Sequence, residues 1–271
     1  MGRCKRAARH APALLHAPVH PRPQRHRALA RPHIAPPAPP AERSVLKLLV
    51  IIPAYNEEAC LADTVRGLTE VCPDVDYLVI NDGSRDDTPK ICDDLHLSHV
   101  DLPVNTGLAS GVRCGMKYAY RHGYDAAVQF DADGQHLPQA IAPMAQAMRD
   151  QQADIVIASR GLAGSGAKGA RGIGAKLITW LIRRATGQTI QDPTSGMRMY
   201  NRAMIEKFVR EFDIAPEPDT ISLLMRKGAK VVEVPAQMRD RQGGESYLNS
   251  WSSVSYMART CISLLLFQWF R

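Results

Sequence analysis

The chain of 271 residues is 45% hydrophobic and 23% charged, with a formal net charge of +7, long enough to bury a full α/β core as one domain with a tail. The charge is unevenly placed: residues 1–44 carry nine Arg or Lys side chains against Glu42 alone, so residues 45–271 sum to −1 and the folded part is not a basic body. Six cysteines (Cys4, Cys60, Cys72, Cys92, Cys114, Cys261) form no Cys-x-x-Cys pair and no regular spacing, which reads as small core hydrophobes in a reducing compartment.

Residues 1–44 hold nine of the nineteen prolines and five of the nine histidines, with no apolar run long enough for a signal-peptide core. Too little can be buried there to offset backbone entropy, so disorder is expected. His10, His16, His20, His26 and His33 lack ligand spacing and no aromatics interleave the arginines, so no nucleic-acid partner is expected.

From Val45 onward, strand and helix patterns alternate. Residues 46–52 form an apolar strand ending at Pro53, and the next helix puts Leu61, Val65, Leu68 and Val71 on one face. A second strand, 77–80, runs into Asn81-Asp82-Gly83-Ser84, after which Thr88-Pro89 opens a helix. A short strand at 99–102, a helix at 108–121 whose Gly111 and Gly115 permit close packing, a strand at 125–130, a helix at 141–149 and a strand at 154–159 follow. This alternation predicts a mostly parallel sheet with helices on both faces in a single α/β domain. Residues 161–174 contain six glycines and read as a mobile lid carrying Lys168 and Arg171. A helix at 175–186, a turn at 191–198, helices at 202–210 and 218–227, and a strand at 230–234 complete the body. The apolar end of 252–271 spans only about 15 Å of helix, half a bilayer core. It is expected to dock on the core or lie in a membrane interface with Trp269, Phe270 and Arg271 as anchors. The expected division is a tail (1–44), a body (45–250) and a C-terminal helix (251–271).

Chemistry concentrates in Gln129-Phe-Asp-Ala-Asp-Gly-Gln-His136. Asp131 and Asp133 stand at the carboxyl end of a buried parallel strand, where open α/β sheets place their ligands. Hard oxygen donors there suit Mg²⁺ or Mn²⁺, which can neutralise a departing diphosphate. Charge agrees: residues 45–154 hold 17 acidic and eight basic side chains, whereas 155–271 hold nine and 17. A half able to recruit a cation thus adjoins one able to take phosphates.

The first strand ends in Ile51-Ile-Pro-Ala-Tyr-Asn-Glu-Glu58, the second in Asn81-Asp-Gly-Ser84 and the fourth in Asp131-Ala-Asp-Gly-Gln135, with Asn105-x-Gly107 between. In this order and spacing the chain resembles glycosyltransferase family 2 with its Rossmann-like GT-A fold. Ser159-Arg160, Asp192-Pro-Thr-Ser-Gly196, Glu233-Val-Pro235 and Arg241-x-x-Gly-x-Ser246 make it most similar to the dolichyl-phosphate mannosyltransferase-like branch. The resemblance covers residues 45 to about 250. It implies that Pro53, Ala54, Tyr55 and Glu57 line the nucleotide pocket and that Asp82 holds base or ribose. Asp131 would meet ribose or metal and Asp133 the metal directly, with Gln135 completing the shell. The catalytic set so implied includes Asp133 and Arg160. On the acceptor side Arg160, Arg171, Arg198 and Arg241 offer guanidinium forks for phosphate beside Ser195. Where the branch often has a lysine after the serine of Arg-x-x-Gly-x-Ser, this chain has Tyr247. His136 reads as a solvated loop histidine.

The resemblance implies a UDP- or GDP-sugar donor and metal-dependent inverting transfer to a polyprenyl phosphate. The alternative is a saccharide hydroxyl in polysaccharide or cell-wall glycan assembly. A polyprenyl phosphate is already ionised near neutral pH and needs no strong base. A sugar hydroxyl does, and Glu217 and Asp219 are the candidates, with helix capping as their structural reading. A dinucleotide oxidoreductase is excluded because the turn after strand one has no Gly-x-Gly-x-x-Gly. Glu57 and Glu58 in that loop argue against a sugar-nucleotide pyrophosphorylase. A cytoplasmic location is expected, with peripheral contact to the membrane face.

Overall fold

In the computed structural model, residues 46–164, 169–239 and 250–266 are described, with backbone alone at 169–171, 250–254 and 256. The expectations for residues 1–44, for Arg241 and Tyr247, and for the Trp269-Phe270-Arg271 anchors lie outside the described residues.

Seven strands form one sheet: β1 (Leu48–Ala54), β2 (Asp76–Asn81), β3 (His99–Asp101), β4 (Ala126–Gln129), β5 (Ile155–Ser159), β6 (Arg198–Asn201) and β7 (Val231–Pro235). Their order is β3-β2-β1-β4-β6-β5-β7. Pairing is parallel except around β6, which runs antiparallel to both β4 and β5. β1 runs through Pro53 instead of ending there. The Ile51 carbonyl accepts from Phe130 on the β4 side, so strand alternation points the missing Pro53 N–H the same way. There β4 pairing has already stopped at Ile51 opposite Gln129, and no ladder bond is lost.

Helices α1 (Leu61–Val71), α2 (Thr88–Asp94) and α4 (Ile141–Asp150) cover one face. Helices α3 (Leu108–Arg121), α5 (Gly169–Thr186), α6 (Arg202–Arg210), α7 (Pro218–Arg226) and α8 (Ser250–Leu266) cover the other. α3 lies close on β1 because Gly115 has no side chain; a β-carbon there would stand 2.4 Å from Ile51 Cγ2.

Two segments differ from the sequence expectation. β6 was not foreseen, and α5 begins at Gly169, inside the predicted lid. Its glycines serve contact: Gly172 is buried, and a β-carbon at Gly174 would stand 2.8 Å from Met257 Sδ of α8. α8 docks on the core, burying Thr260 and Leu264 and pinning Ser263 Oγ to the Asp219 carboxylate of α7. Among the described residues no helix is long and apolar enough to cross a membrane.

Candidate active site

The carboxyl ends of β1, β2 and β4 open on one edge of the sheet, and their loops are stitched together before any ligand arrives. Asn56, in the left-handed region at φ 55°, donates its N–H to Ser84 Oγ and accepts from the Arg85 N–H. The Glu57 N–H donates to Thr88 Oγ1, and Glu58 exchanges bonds with Asp86 and Asp87. Pro53, Ala54 and Glu57 are buried beneath this seam and Tyr55 is half-buried.

Asp82 follows β2 directly. It is buried, and its carboxylate accepts from the Thr106 N–H at 2.8 Å, Thr106 Oγ1 at 2.7 Å and the Gly107 N–H at 2.7 Å. Three donors aimed at one carboxylate make it the anchor of the Asn105-x-Gly107 turn. Gly83 lets the turn close, since a β-carbon there would stand 2.5 Å from the Val104 carbonyl carbon.

After β4 the chain turns through Asp131, Ala132 and Asp133. Asp131 Oδ1 accepts from Gln129 Nε2 at 2.9 Å, and the Asp131 N–H donates to His136 Nδ1 at 2.9 Å. His136 is buried, not solvated, and stands edge-on to Phe130. Asp133 Oδ1 accepts the Gln135 N–H at 3.0 Å, and the Gln135 carbonyl accepts from the Arg239 N–H. Among the described residues no group of three or more His, Cys, Asp and Glu side chains could cage a metal. A partly exposed Asp131 and Asp133 with only oxygen donors fit Mg²⁺ or Mn²⁺, which bind through one or two carboxylates plus substrate phosphates.

The facing wall is the turn before β6. Glu233 of β7 accepts from the Gln191 and Asp192 N–H groups. Asp192 in turn receives both Nε and Nη2 of Arg160, at 2.7 and 2.8 Å, and the Arg160 N–H. Burial pushes the Asp192 carboxyl up, but this fork and the Arg160 charge outweigh it and hold the group below its ordinary range. Arg160 is therefore a strut of the turn. The turn delivers Gly196 against Asp131, where a β-carbon would stand 2.7 Å from Oδ2. Ser195 and Arg198 lie behind it, fully buried and 2% exposed. Arg198 donates Nη2 to the Pro193 carbonyl. Among the described residues its Nε and Nη1, and Ser195 Oγ, have no hydrogen-bond partner.

Asp219 joins two helices. Its carboxylate accepts from Ser263 Oγ and the Thr220 N–H, tying α7 to α8. Glu217 occupies the N-cap position of α7 without a side-chain capping bond; burial foremost, and the Glu217 charge last, push the Tyr200 hydroxyl up against the opposing pull of Arg198. Arg171 lies in the first turn of α5. Gln129, His136, Gly196 and Glu233 were not foreseen as parts of the site; only the recurrence of polar residues around Asp131 and in the Glu-Val-Pro strand could have pointed to them.

A mostly parallel sheet with one antiparallel insertion, an acidic pair after a central strand and a facing turn backed by a buried arginine are the architecture of a GT-A glycosyltransferase. Residues 49–209 match the model of glycosyl transferase family 2, and the chain belongs to that family. It is 32% identical to the polyprenol monophosphomannose synthase of Mycolicibacterium smegmatis, over 78% of this chain and 84% of that one. It is 31% identical to the undecaprenyl-phosphate mannosyltransferase of Micrococcus luteus, over 75% and 88%. Glucosyl-3-phosphoglycerate synthase from Mycobacterium tuberculosis, solved with Mn²⁺, UDP and phosphoglyceric acid, shares the fold with a TM-score of 0.61 at 16% identity, covering 82% of this chain and 78% of that one.

Proposed function

We propose that this glycosyltransferase moves a sugar from a UDP- or GDP-sugar to the phosphate of a polyprenyl phosphate, with inversion at the anomeric carbon. The observation that carries the acceptor is the buried Arg198: its guanidinium lies beside the Tyr200 hydroxyl, but Nε and Nη1, with Ser195 Oγ, make no hydrogen bond of good geometry among the described residues. A buried cation with open donors is costly until an anion meets it, and this one stands behind the wall that touches Asp131. The names of the two curated relatives support a polyprenyl phosphate as that anion.

Pro53, Ala54, Tyr55 and Glu57 would line the nucleotide pocket, with Asp82 setting its far rim through the Thr106–Gly107 backbone. Asp131 and Asp133, with Gln135, would hold Mg²⁺ or Mn²⁺, which supplies charge neutralisation for the departing diphosphate. Arg198, buried behind that wall, would supply positive charge toward the acceptor phosphate, which needs no general base because its second pKa is about 6. Alignment of an already ionised oxygen with the anomeric carbon supplies most of the remaining rate.

A lipid acceptor requires contact with a membrane, and α5 and α8 offer the surface. Exposed Ile173, Leu177 and Trp180 fall at i, i+4 and i+7 on α5, and Ile262, Leu265 and Leu266 are exposed on α8. Exposed Lys176, Arg183, Arg184 and Arg259 rim these residues, and neither helix contains an Asp or Glu. Apolar residues with a cationic rim complement an anionic bilayer surface.

The test supplies the full chain with radiolabelled UDP- and GDP-sugars and undecaprenyl phosphate in anionic liposomes. Label that partitions into organic solvent, and is lost with EDTA, is expected. Label passing only to a water-soluble oligosaccharide would overturn the lipid-phosphate acceptor.

A further inference from the structure

We propose that Gln129 and His136 are positioning residues that hold the Asp131 carboxylate in one orientation for a divalent cation, and that residue 196 is glycine so that this orientation fits. The inference rests on the metal-binding reading of Asp131 above.

One hydrogen bond to the carboxylate, one to the Asp131 backbone and one close-packed glycine surround this side chain. Gln129 Nε2 donates to Oδ1 at 2.9 Å. His136 accepts the Asp131 backbone N–H on Nδ1 at 2.9 Å, which in a neutral ring leaves the proton on Nε2. That Nε2 stands 3.7 Å from Oδ2, too far for a hydrogen bond and close enough for attraction. Gly196 closes the remaining side, where a β-carbon would lie 2.7 Å from Oδ2 and 3.4 Å from His136 Cε1. The imidazole cannot itself be a ligand in this state, because one nitrogen already accepts a proton and the other carries one.

Gln129 supplies the second indication. Its side chain is 2% exposed, yet among the described residues its Oε1 has no hydrogen-bond partner. Burying an amide with one end unsatisfied is unfavourable. A methionine or leucine would fill the same space at lower cost, so the N–H directed at Asp131 is what distinguishes glutamine here. A carboxylate fixed before the cation arrives loses less rotamer freedom on binding. Residues of this kind around a metal ligand contribute about 10–100-fold to metal affinity.

The experiment titrates Mn²⁺ into the full chain, alone and then with UDP or GDP, and follows the free-ion signal by electron paramagnetic resonance. The variants are Gln129→Met, which keeps the shape and removes the N–H; His136→Phe, which removes both nitrogens; and His136→Asn, which keeps an acceptor near the Nδ1 position. Gln129→Met and His136→Phe are expected to weaken Mn²⁺ binding by roughly 10–100-fold, with His136→Asn recovering most of the loss. Should His136→Phe melt early, Gln129→Met decides, since it alters neither backbone bonding nor volume. Unchanged Mn²⁺ affinity in Gln129→Met, in a protein whose binding is abolished by Asp133→Asn, overturns the inference and leaves the metal reading standing. A wild-type chain that binds no Mn²⁺ under any of the three conditions overturns both.

Discussion

The two halves of the sheet meet their polar demands differently. Around β1 to β4 each loop finds its partners in the next: Asn56 with Ser84 and Arg85, Glu57 with Thr88, Glu58 with Asp86 and Asp87, Asp82 with Thr106 and Gly107. Around β5 to β7 the turn at 191–196 is just as firmly held by Glu233 and Arg160, but what it presents is incomplete. Ser195 Oγ and two Arg198 nitrogens lack partners among the described residues, and α5 and α8 expose apolar side chains. A rigid rim suits a donor whose nucleotide is always the same shape. Open donors and an apolar surface suit an acceptor that brings its own charge and its own bilayer. The contrast is sharpest where the halves touch, at Gly196 on Asp131.

The largest expected effect comes from breaking the acidic side of that contact. Asp133→Asn should lower turnover by at least about a hundredfold, the scale for losing one charge-stabilising group at a reacting centre, while the melting temperature stays near that of the wild type because the side chain is partly exposed and outside the core. Retained turnover with a large loss of stability would make Asp133 a structural residue.

Next in size is the strut of the basic side. Arg160→Met leaves the 7% exposed Asp192 side chain without its guanidinium. Because Arg160 is itself 27% exposed, the cost should fall at the low end for buried pairs, about 3 kcal/mol, measured by thermal melts. The same pair sets a pH window. A carboxyl whose folded pKa is lowered contributes stability that is complete above its unfolded value, about 3.9, and is lost as pH falls through the folded one. The gap between wild type and Arg160→Met should therefore be constant near neutrality and close below about pH 4. A gap that persists unchanged into acid would separate the stability loss from the charge pair.

What could be read from sequence follows the same division. The helix at 108–121 and the strands before it announce themselves, because buried parallel strands are continuous apolar runs and covering helices keep one apolar stripe. β6 does not, being four residues long and starting with Arg198, a side chain that pattern reasoning assigns to the surface. The glycines of 161–174 read as mobility, but Gly172 and Gly174 admit close packing of α5; composition does not distinguish a glycine that bends from one that makes room. Asp82 and Arg160 were legible as important, but not their hydrogen-bond partners, since a motif shows that a charge is needed without showing which way it points. The Asp82 carboxylate holds backbone N–H groups, and the Arg160 guanidinium holds the Asp192 carboxylate.

A smaller effect should test the apolar face. Trp180→Glu replaces a 58% exposed side chain and puts an acid among the basic residues of α5, so liposome affinity should drop about tenfold or less, from the lost apolar area and the reversed charge. Folding and nucleotide affinity should hold. Comparing the full-length variant with full-length wild type cancels any binding by the basic N-terminal segment. Equal sedimentation of the two with anionic vesicles would assign that face to something other than a bilayer.

The smallest change is expected at Glu217. If the acceptor is a phosphate monoester, its attacking oxygen carries charge before it reaches the site, and no residue has to remove a proton. Glu217→Gln should then reduce transfer to undecaprenyl phosphate only a fewfold, far short of the roughly 10²–10⁴-fold contributed by a general base. The substitution keeps the size and shape of the side chain and leaves a carbonyl oxygen to accept hydrogen bonds, so folding should hold. A pH–rate profile adds a second readout: with lipid phosphate the acidic limb should follow the acceptor and survive the mutation. A collapse of activity on a saccharide hydroxyl, together with loss of the acidic limb, would instead make Glu217 the base. The incomplete donors of Ser195 and Arg198 would then need a different anion from the lipid phosphate.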